Sequence, residues 1–172
     1  IPIACEMDEA VETEYKRIEH KLVQVLRSDR RAAQKILSAY LNLLTVYPDQ
    51  PYDQKPILYP DSDVPIVEPE NIGDADCLGE KELRTLEIVK AAIQNGERAL
   101  IYTSWVRTDS QQKLKKLLTD EGYRTEILTD KIKTTDREEW VQKKLAAGMQ
   151  VLIVNPSLIE TGLDLNAFTT LV

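Results

Sequence analysis

The stretch Gln150-Val151-Leu152-Ile153-Val154-Asn155-Pro156-Ser157 carries four consecutive aliphatic residues and then turns abruptly polar. A short apolar run without alternation, bounded by turn formers, reads as a strand buried on both faces, the kind that fills a parallel sheet. Two runs of the same type precede it, Arg98-Ala99-Leu100-Ile101-Tyr102-Thr103 and Arg124-Thr125-Glu126-Ile127-Leu128. A fourth begins at Phe168-Thr169-Thr170-Leu171-Val172. Between them the period changes to that of a helix. Leu83, Leu86, Val89 and Ile93 line one helix that stops at Asn95-Gly96, a left-handed C-cap signal. A second helix, over 108–121, presents Leu114, Leu117 and Leu118 and stops at Gly122; a third, over 135–147, stops at Gly148. Strands alternating with amphipathic helices predict an α/β lobe over 79–172, with a parallel sheet and right-handed crossovers.

Outward from this lobe the chain changes character. In residues 48–73, Pro48, Pro51, Pro56, Pro60, Pro65 and Pro69 exclude regular helix and central strand, because each removes a donor and fixes φ. This predicts an extended connector over 48–78, anchored where Ile57, Leu58, Tyr59, Ile66 and Val67 offer apolar side chains. Before it, Val11, Tyr15, Ile18, Leu22 and Val25 recur at steps of four and three, the stripe of a helix over 8–27. Ser28-Asp29 is a cap-like break, and a second helix should turn Ala33, Ile36, Leu37, Tyr40, Leu41 and Leu44 inward. Residues 1–47 therefore read as a short strand at 1–5 followed by a helical hairpin.

Composition excludes several classes. At 42% hydrophobic and 30% charged residues the chain is an ordinary globular one, with enough apolar material for a core. No run of apolar residues is long enough to span a bilayer, and the first residues lack the basic and apolar regions of a signal peptide. The missing initiator Met and the end inside an apolar strand predict a piece of something longer. Cys5 and Cys77 have no metal-ligand spacing, which predicts reduced thiols and an intracellular setting, cytoplasmic or nuclear. His20 lies among charged residues on a helix and reads as a surface residue. The net charge of −7 is local: residues 49–76 hold eight acids against Lys55, while residues 1–48 balance at seven of each sign and residues 77–172 at fourteen of each. Both flanking regions can therefore present a basic face.

Ligands of open parallel sheets bind beyond the carboxyl ends of the strands. Three loops occupy that position: Thr103-Ser104-Trp105-Val106-Arg107, Thr129-Asp130-Lys131-Ile132-Lys133-Thr134-Thr135, and Asn155 through Asp164. Their hydroxyls, bases and backbone N–H groups suit phosphate oxygens. Thr103, Ser104 and Thr134 or Thr135 also read as helix N-caps, and the two roles are compatible. No catalytic constellation and no metal site are evident: the chain has no G-x-x-x-x-G-K-[ST] loop, and its single His20 rules out a Ser/His/Asp or Cys/His arrangement within the lobe. Adjacent acids such as Glu138-Glu139 point in different directions on a helix and read as a solvated face.

The order of these signals resembles a known family. Gly96 to Trp105, a strand ending in Tyr102-Thr103-Ser104, resembles motif IV of superfamily-two helicase-like ATPases. Gly122-Tyr123-Arg124 to Leu128, the following loop, and Asp136-Arg137-Glu138 resemble the Swi/Snf-type run "GYR…LDGST…ER", with Thr129-Asp130-Lys131 departing from its glycine-bearing turn. Val151 to Val172 resembles motif V and its following strand, with Gly162-Leu163-Asp164 at the "GLN/GID" position, although Asn155-Pro156-Ser157-Leu158-Ile159 departs from the usual Ser/Thr-x-x-Gly-Gly start. Ala4-Cys5-Glu6-Met7 and the helix carrying Tyr15 resemble the segment joining the two lobes, and Leu43 to Pro48 the end of the inserted helices.

The resemblance implies a second RecA-like lobe, a parallel sheet with flanking helices preceded by the hairpin, cut before motif VI. It implies an ATP-dependent, DNA-dependent hydrolase in the full protein and a fragment inactive alone. ATP and Mg would sit in a cleft shared with a first RecA-like lobe, with none bound to the fragment. DNA, as duplex, would be the partner. By matched position, Thr103, Ser104, Lys131, Asn155, Ser157 and Thr161 would touch the nucleic-acid backbone. Gly162 would let the backbone approach the nucleotide, and Asp164 would accept a bond from its ribose hydroxyl. Two other readings use the same residues: a non-enzymatic module docking a partner through hairpin and acidic connector, and a free-standing nucleotide-binding or flavodoxin-like domain. Fold alone does not separate them.

Overall fold

The computed structural model describes residues 3–103, 110–159 and 162–172. The chain divides into two compact units, Ile1–Glu80 and Lys81–Val172.

The first unit begins with α1 (Glu9–Ser28) and α2 (Arg30–Val46), joined through Asp29. The Asp29 carboxylate accepts from the N–H groups of Arg31 and Ala32 at 3.1 and 3.0 Å, the N-cap that lets α2 start one residue after α1 stops. Val11, Ile18, Leu22 and Val25 of α1 are buried as the spacing predicts. On α2 the buried line is Ala33, Ile36, Tyr40, Leu43 and Tyr47, in alternating steps of three and four. Leu37 and Leu41, expected inside, lie one position round the helix and are exposed at 38% and 52%. Nor do residues 3–8 form a strand: the backbone there is irregular. His20 is exposed on α1, its Nε2 3.0 Å from Gln24 Nε2.

The proline-rich segment is folded onto this hairpin. β1 (Ile57–Leu58) pairs antiparallel with β2 (Pro65–Val67), and Ile57, Ile66 and Val67 complete the core of α1 and α2, whereas Leu58 and Tyr59 face solvent. An ion pair between a buried carboxylate and a half-buried guanidinium holds the segment in place. Glu14, only 4% exposed, takes both the Nε and Nη2 of Arg17 (2.5 and 2.6 Å), and its Oε1 also accepts from the N–H of Glu70 at 2.9 Å. Arg17 Nη2 donates to the carbonyl of Glu68 (2.7 Å), and Tyr47 Oη to that of Glu70 (2.7 Å). The bidentate pair thus satisfies two backbone groups, and Tyr47 a third, of a stretch whose prolines and acids favour solvation. Burial opposes ionisation of Glu14, yet the Arg17 and Glu70 hydrogen bonds outweigh it and hold the carboxyl below its ordinary value. Burial pushes the Tyr47 hydroxyl up to about 12.

The second unit holds α3 (Glu80–Gln94), which begins at the boundary residue, then β3 (Ala99–Tyr102), α4 (Ser110–Asp120), β4 (Thr125–Leu128), a 3-10 turn (Thr134–Asp136) running into α5 (Arg137–Ala146), β5 (Val151–Val154), a second 3-10 turn (Pro156–Leu158) and β6 (Thr170–Leu171). The sheet order is β4-β5-β3-β6, and every pairing is parallel. All four residues of β5 are fully buried. Alternate residues of each strand enter opposite layers. Ala99, Ile101, Ile127, Val151 and Ile153 pack with Val89 of α3 and Leu118 of α4; Leu100, Leu128, Leu152 and Val154 pack with Val141 of α5 and Phe168. Leu158, Ile159, Leu163 and Leu165 extend the second layer, so the segment after β5 serves as cover for the sheet. Leu83, expected to face inward, is 47% exposed; α3 is buried instead along Leu86, Val89, Ala92 and Ile93.

β4 is an edge of the described sheet, and charge guards it. Glu126 pairs with Lys115 of α4 at 3.2 Å and with Lys144 of α5, tying together helices from opposite layers. Burial opposes ionisation of Glu126, but the hydrogen bonds from Lys144 and Lys115 prevail and keep its carboxyl below the ordinary value. A cavity of about 390 Å³ opens beside this triad, lined also by Tyr123 and Arg124. Gly148 has φ +88°, and a Cβ there would collide with the Arg124 guanidinium, whose Nη1 donates to Ala147 O at 3.1 Å; Gly122 has φ +89° and open space.

Two predictions follow from this packing. Replacing Glu14 by Gln should cost about 2 kcal/mol of stability at neutral pH, the scale of hydrogen bonds to a charged group. Because the folded carboxyl titrates below its ordinary 4.5, its contribution is complete above that pH and is lost as pH falls through the lower, folded value. Urea unfolding of Glu14→Gln beside the parent should therefore show a gap that closes on acidification; a gap constant from pH 7 to pH 3 would refute the assignment. Gly122→Ala should cost about 1–2 kcal/mol for its left-handed backbone alone. Gly148→Ala should cost more in the same assay, since Arg124 must also move.

Candidate nucleic-acid interface

The register of the strands creates the site. Tyr102 pairs with Val154 and Val154 with Leu128, so the next residues, Thr103, Asn155 and Thr129, form a row where three adjacent parallel strands end. The Thr103 N–H donates to Val154 O at 3.0 Å, which fixes the β3 end of this row.

Thr103 is half-buried, and its Oγ1 accepts from Gln111 Nε2 at 2.6 Å. Gln111, on the first turn of α4, is 7% exposed. With one lone pair of the hydroxyl engaged by an amide, its O–H remains for donation, which is what a phosphate oxygen needs. Thr103 is thus held by the following helix rather than capping it through its side chain alone. Sequence reasoning missed Gln111: a glutamine on an amphipathic helix carries no signal until the fold buries it.

In the loop after β4, Lys131 and Lys133 are exposed, and neither makes an ion pair among the described residues. Lys131 is therefore a solvated cation next to the row of strand ends. Thr134 and Thr135, expected as helix caps, belong instead to the 3-10 turn, and Thr135 Oγ1 donates to the Asp136 carboxylate at 2.7 Å. The turn runs directly into α5, so Asp136, already in helical backbone, stands at the α5 cap position and Lys133 at that of the turn, both without a side-chain cap bond.

Beyond β5, Asn155 caps the turn Pro156–Leu158. Its Oδ1 accepts from the Ser157 N–H at 2.9 Å and from Ser157 Oγ at 2.7 Å. Pro156 takes the first turn position, where a missing N–H costs nothing. The Ser157 hydroxyl spends its proton on Asn155 and so is a weaker phosphate donor than its exposure suggests. Gly162, φ +84°, is exposed with nothing within 4 Å of where a Cβ would stand. Asp164 is exposed, and its Oδ1 accepts from the Asn166 N–H at 3.0 Å, leaving Oδ2 to accept elsewhere. Ser104 and Thr161 lie outside the described residues.

One residue joins two of these loops. Arg137 opens α5, is 9% exposed, and donates from Nε to Ile132 O (3.2 Å) and from Nη1 to Leu158 O (2.7 Å). Among the described residues no His, Cys, Asp and Glu side chains gather to hold a metal ion, no helix is long and apolar enough to cross a membrane, and Cys5 and Cys77 are free thiols.

Comparison with known proteins agrees with this geometry. The model of the helicase conserved C-terminal domain matches residues 81–172, the same span as the second compact unit. No curated protein matches the chain. A four-stranded parallel sheet between helical layers, with its polar loops on one rim, is the RecA-like arrangement of such a lobe. Because that domain occupies more than half of its length, the chain belongs to the helicase conserved C-terminal domain family.

Proposed function

We propose that the chain is the second lobe of an ATP-dependent translocase of the Swi/Snf type that moves along duplex DNA, and that the row of strand ends is its track on the backbone. The observation that carries this reading is the convergence of Thr103, Lys131 and Asn155 where β3, β4 and β5 end, in a lobe of a helicase family. Thr103 supplies a hydroxyl whose oxygen is already held by Gln111. Lys131 supplies an exposed charge. Asn155 fixes the turn that carries Ser157. Such contacts neutralise phosphates without reading bases. The Swi/Snf assignment rests on Gly122-Tyr123-Arg124 and Asp136-Arg137-Glu138 flanking β4 and its loop.

The rim also suits the edge of a nucleotide site. Gly162 is open to close approach, and Asp164 keeps an oxygen for a ribose hydroxyl. ATP hydrolysis, when both lobes are present, supplies the free energy for stepping. This chain's part is to hold the ribose side and to let closure around the nucleotide displace the track. The phosphate loop and the acids that bind Mg belong to the first lobe in this reading. The hairpin unit, 1–47, and the connector, 48–78, stand as the segment between lobes.

The test uses the protein from the complete reading frame together with this chain. The complete protein should release phosphate from ATP faster with duplex DNA, whereas the 172-residue chain should release none. In the complete protein, Lys131→Ala should weaken binding equally across DNA sequences and flatten the slope of log affinity against log salt by about 0.9, the effect of one lost phosphate contact. Thr103→Val should lower affinity without altering the salt slope. A change of base preference in either variant, or ATP turnover by the chain alone, would sink the proposal.

A further inference from the structure

The most unusual side chain of the second unit is a cation buried without an acid. Arg137 is 9% exposed, and among the described residues it has no carboxylate partner. Burying a guanidinium is expensive, and an apolar side chain of similar size is often the more stable choice in such a place. What Arg137 does with its charge is specific. It donates to Ile132 O, in the loop after β4, and to Leu158 O, in the turn after β5. Each carbonyl belongs to the residue following one already placed on the rim: Lys131 precedes Ile132, and Ser157 precedes Leu158.

We propose that Arg137 is a positioning residue that locks these two loops into a single surface facing the nucleic-acid backbone, an inference that rests on the function proposed above. The guanidinium is planar and its N–H groups are fixed relative to one another, so two carbonyls bound to one plane are fixed relative to each other. A lysine keeps the charge but cannot impose that geometry. The loops need such a link because their backbones leave the sheet after Leu128 and Val154 and gain no further ladder bonds between them among the described residues. Apolar packing supports it from beneath: Ile132, Leu158 and Ile159 rest on the cluster containing Val141 and Leu152. Arg137 touches no ligand in this scheme. It acts through the placement of Lys131 and Ser157.

The test compares Arg137→Lys, Arg137→Gln, Val89→Ala and Lys131→Ala with the parent, all in this chain. Val89→Ala serves as a control that loosens the opposite layer of the core while leaving the loops their carbonyl partner and their apolar support. Amide hydrogen exchange is followed in 129–136 and 155–159, thermal unfolding is recorded, and affinity for a duplex DNA oligonucleotide is read by fluorescence anisotropy. Both Arg137 variants should release the two loops together and lose about tenfold in affinity, the scale of charge-assisted hydrogen bonds. Val89→Ala should lower the unfolding temperature and keep affinity within about twofold, as expected for a residue that shares no partner with the loops. Arg137→Lys binding as tightly as the parent would reduce the residue to its charge and overturn the proposal. So would release of one loop alone, or an equal loss of affinity in Val89→Ala. Unchanged affinity in Lys131→Ala would instead remove the nucleic-acid reading beneath the proposal, recognisable because the joint release of the loops would persist.

Discussion

A strand buried on both faces leaves its backbone no access to water, and β5 is buried without remainder. Each of its N–H and C=O groups has to find a ladder partner, which requires a neighbouring strand on each side and a helical layer above and below. β3 and β4 meet the first requirement, in register from Ala99 to Tyr102 and from Thr125 to Leu128. α3 and α4 on one face, and α5 with the segment after β5 on the other, meet the second. The consequence for function is positional. Because all three strands run parallel and in register, their polar ends fall on one rim, and residues 26 or more positions apart in the chain become neighbours.

That dependence explains what the sequence showed and what it hid. Apolar run length and cap glycines located β3, β4 and β5 to within a residue, since burial on both faces admits only such runs and Gly96, Gly122 and Gly148 all adopt positive φ. The expected rim was likewise legible, because strand ends follow from strands. Rotation about a helix axis was harder to read. Leu37 and Leu41 were expected inward beside Ala33, Ile36 and Tyr40, but the face closes through Leu43 and Tyr47, in one cluster with Ile57, Ile66 and Val67 of the connector. Gln111 and Arg137 were hidden for a different reason. Both are polar residues whose burial comes from tertiary packing and whose partners, Thr103 and two loop carbonyls, are identified by geometry alone.

The first unit solves an opposite problem. Its residues 48–73 hold six prolines and an excess of acids, a composition that favours solvation over order. Apolar anchoring by Ile57, Ile66 and Val67 would leave residues 68–70 with unpaired backbone groups beside a core. The Glu14–Arg17 pair addresses this by presenting donor and acceptor together, so that one carbonyl and one N–H are satisfied from α1, while Tyr47 at the end of α2 satisfies a second carbonyl. An ion pair that buries its carboxylate is weak evidence of net stability. Here its value is better understood as specificity: it selects one seating for a segment that has no helix or long strand to select one itself.

The same distinction sharpens the rim. A surface that tracks phosphates needs hydrogen-bond donors held in place before the ligand arrives, since ordering them on binding would consume the affinity they provide. At Thr103 the fold provides this directly, by holding the hydroxyl oxygen with a bond from Gln111. At Ser157 it does the reverse, tying the donor to Asn155 and so making the turn rigid at the expense of its hydroxyl. The rim therefore has a stiff turn at its middle, after β5, flanked by a prepared donor at the end of β3 and a solvated lysine after β4. Arg137 holds the lysine's loop and the turn together from below. On the function proposed above, Thr103 and Lys131 grip and release phosphates on either side of that turn. Asn155 then serves chiefly to set the shape against which they work.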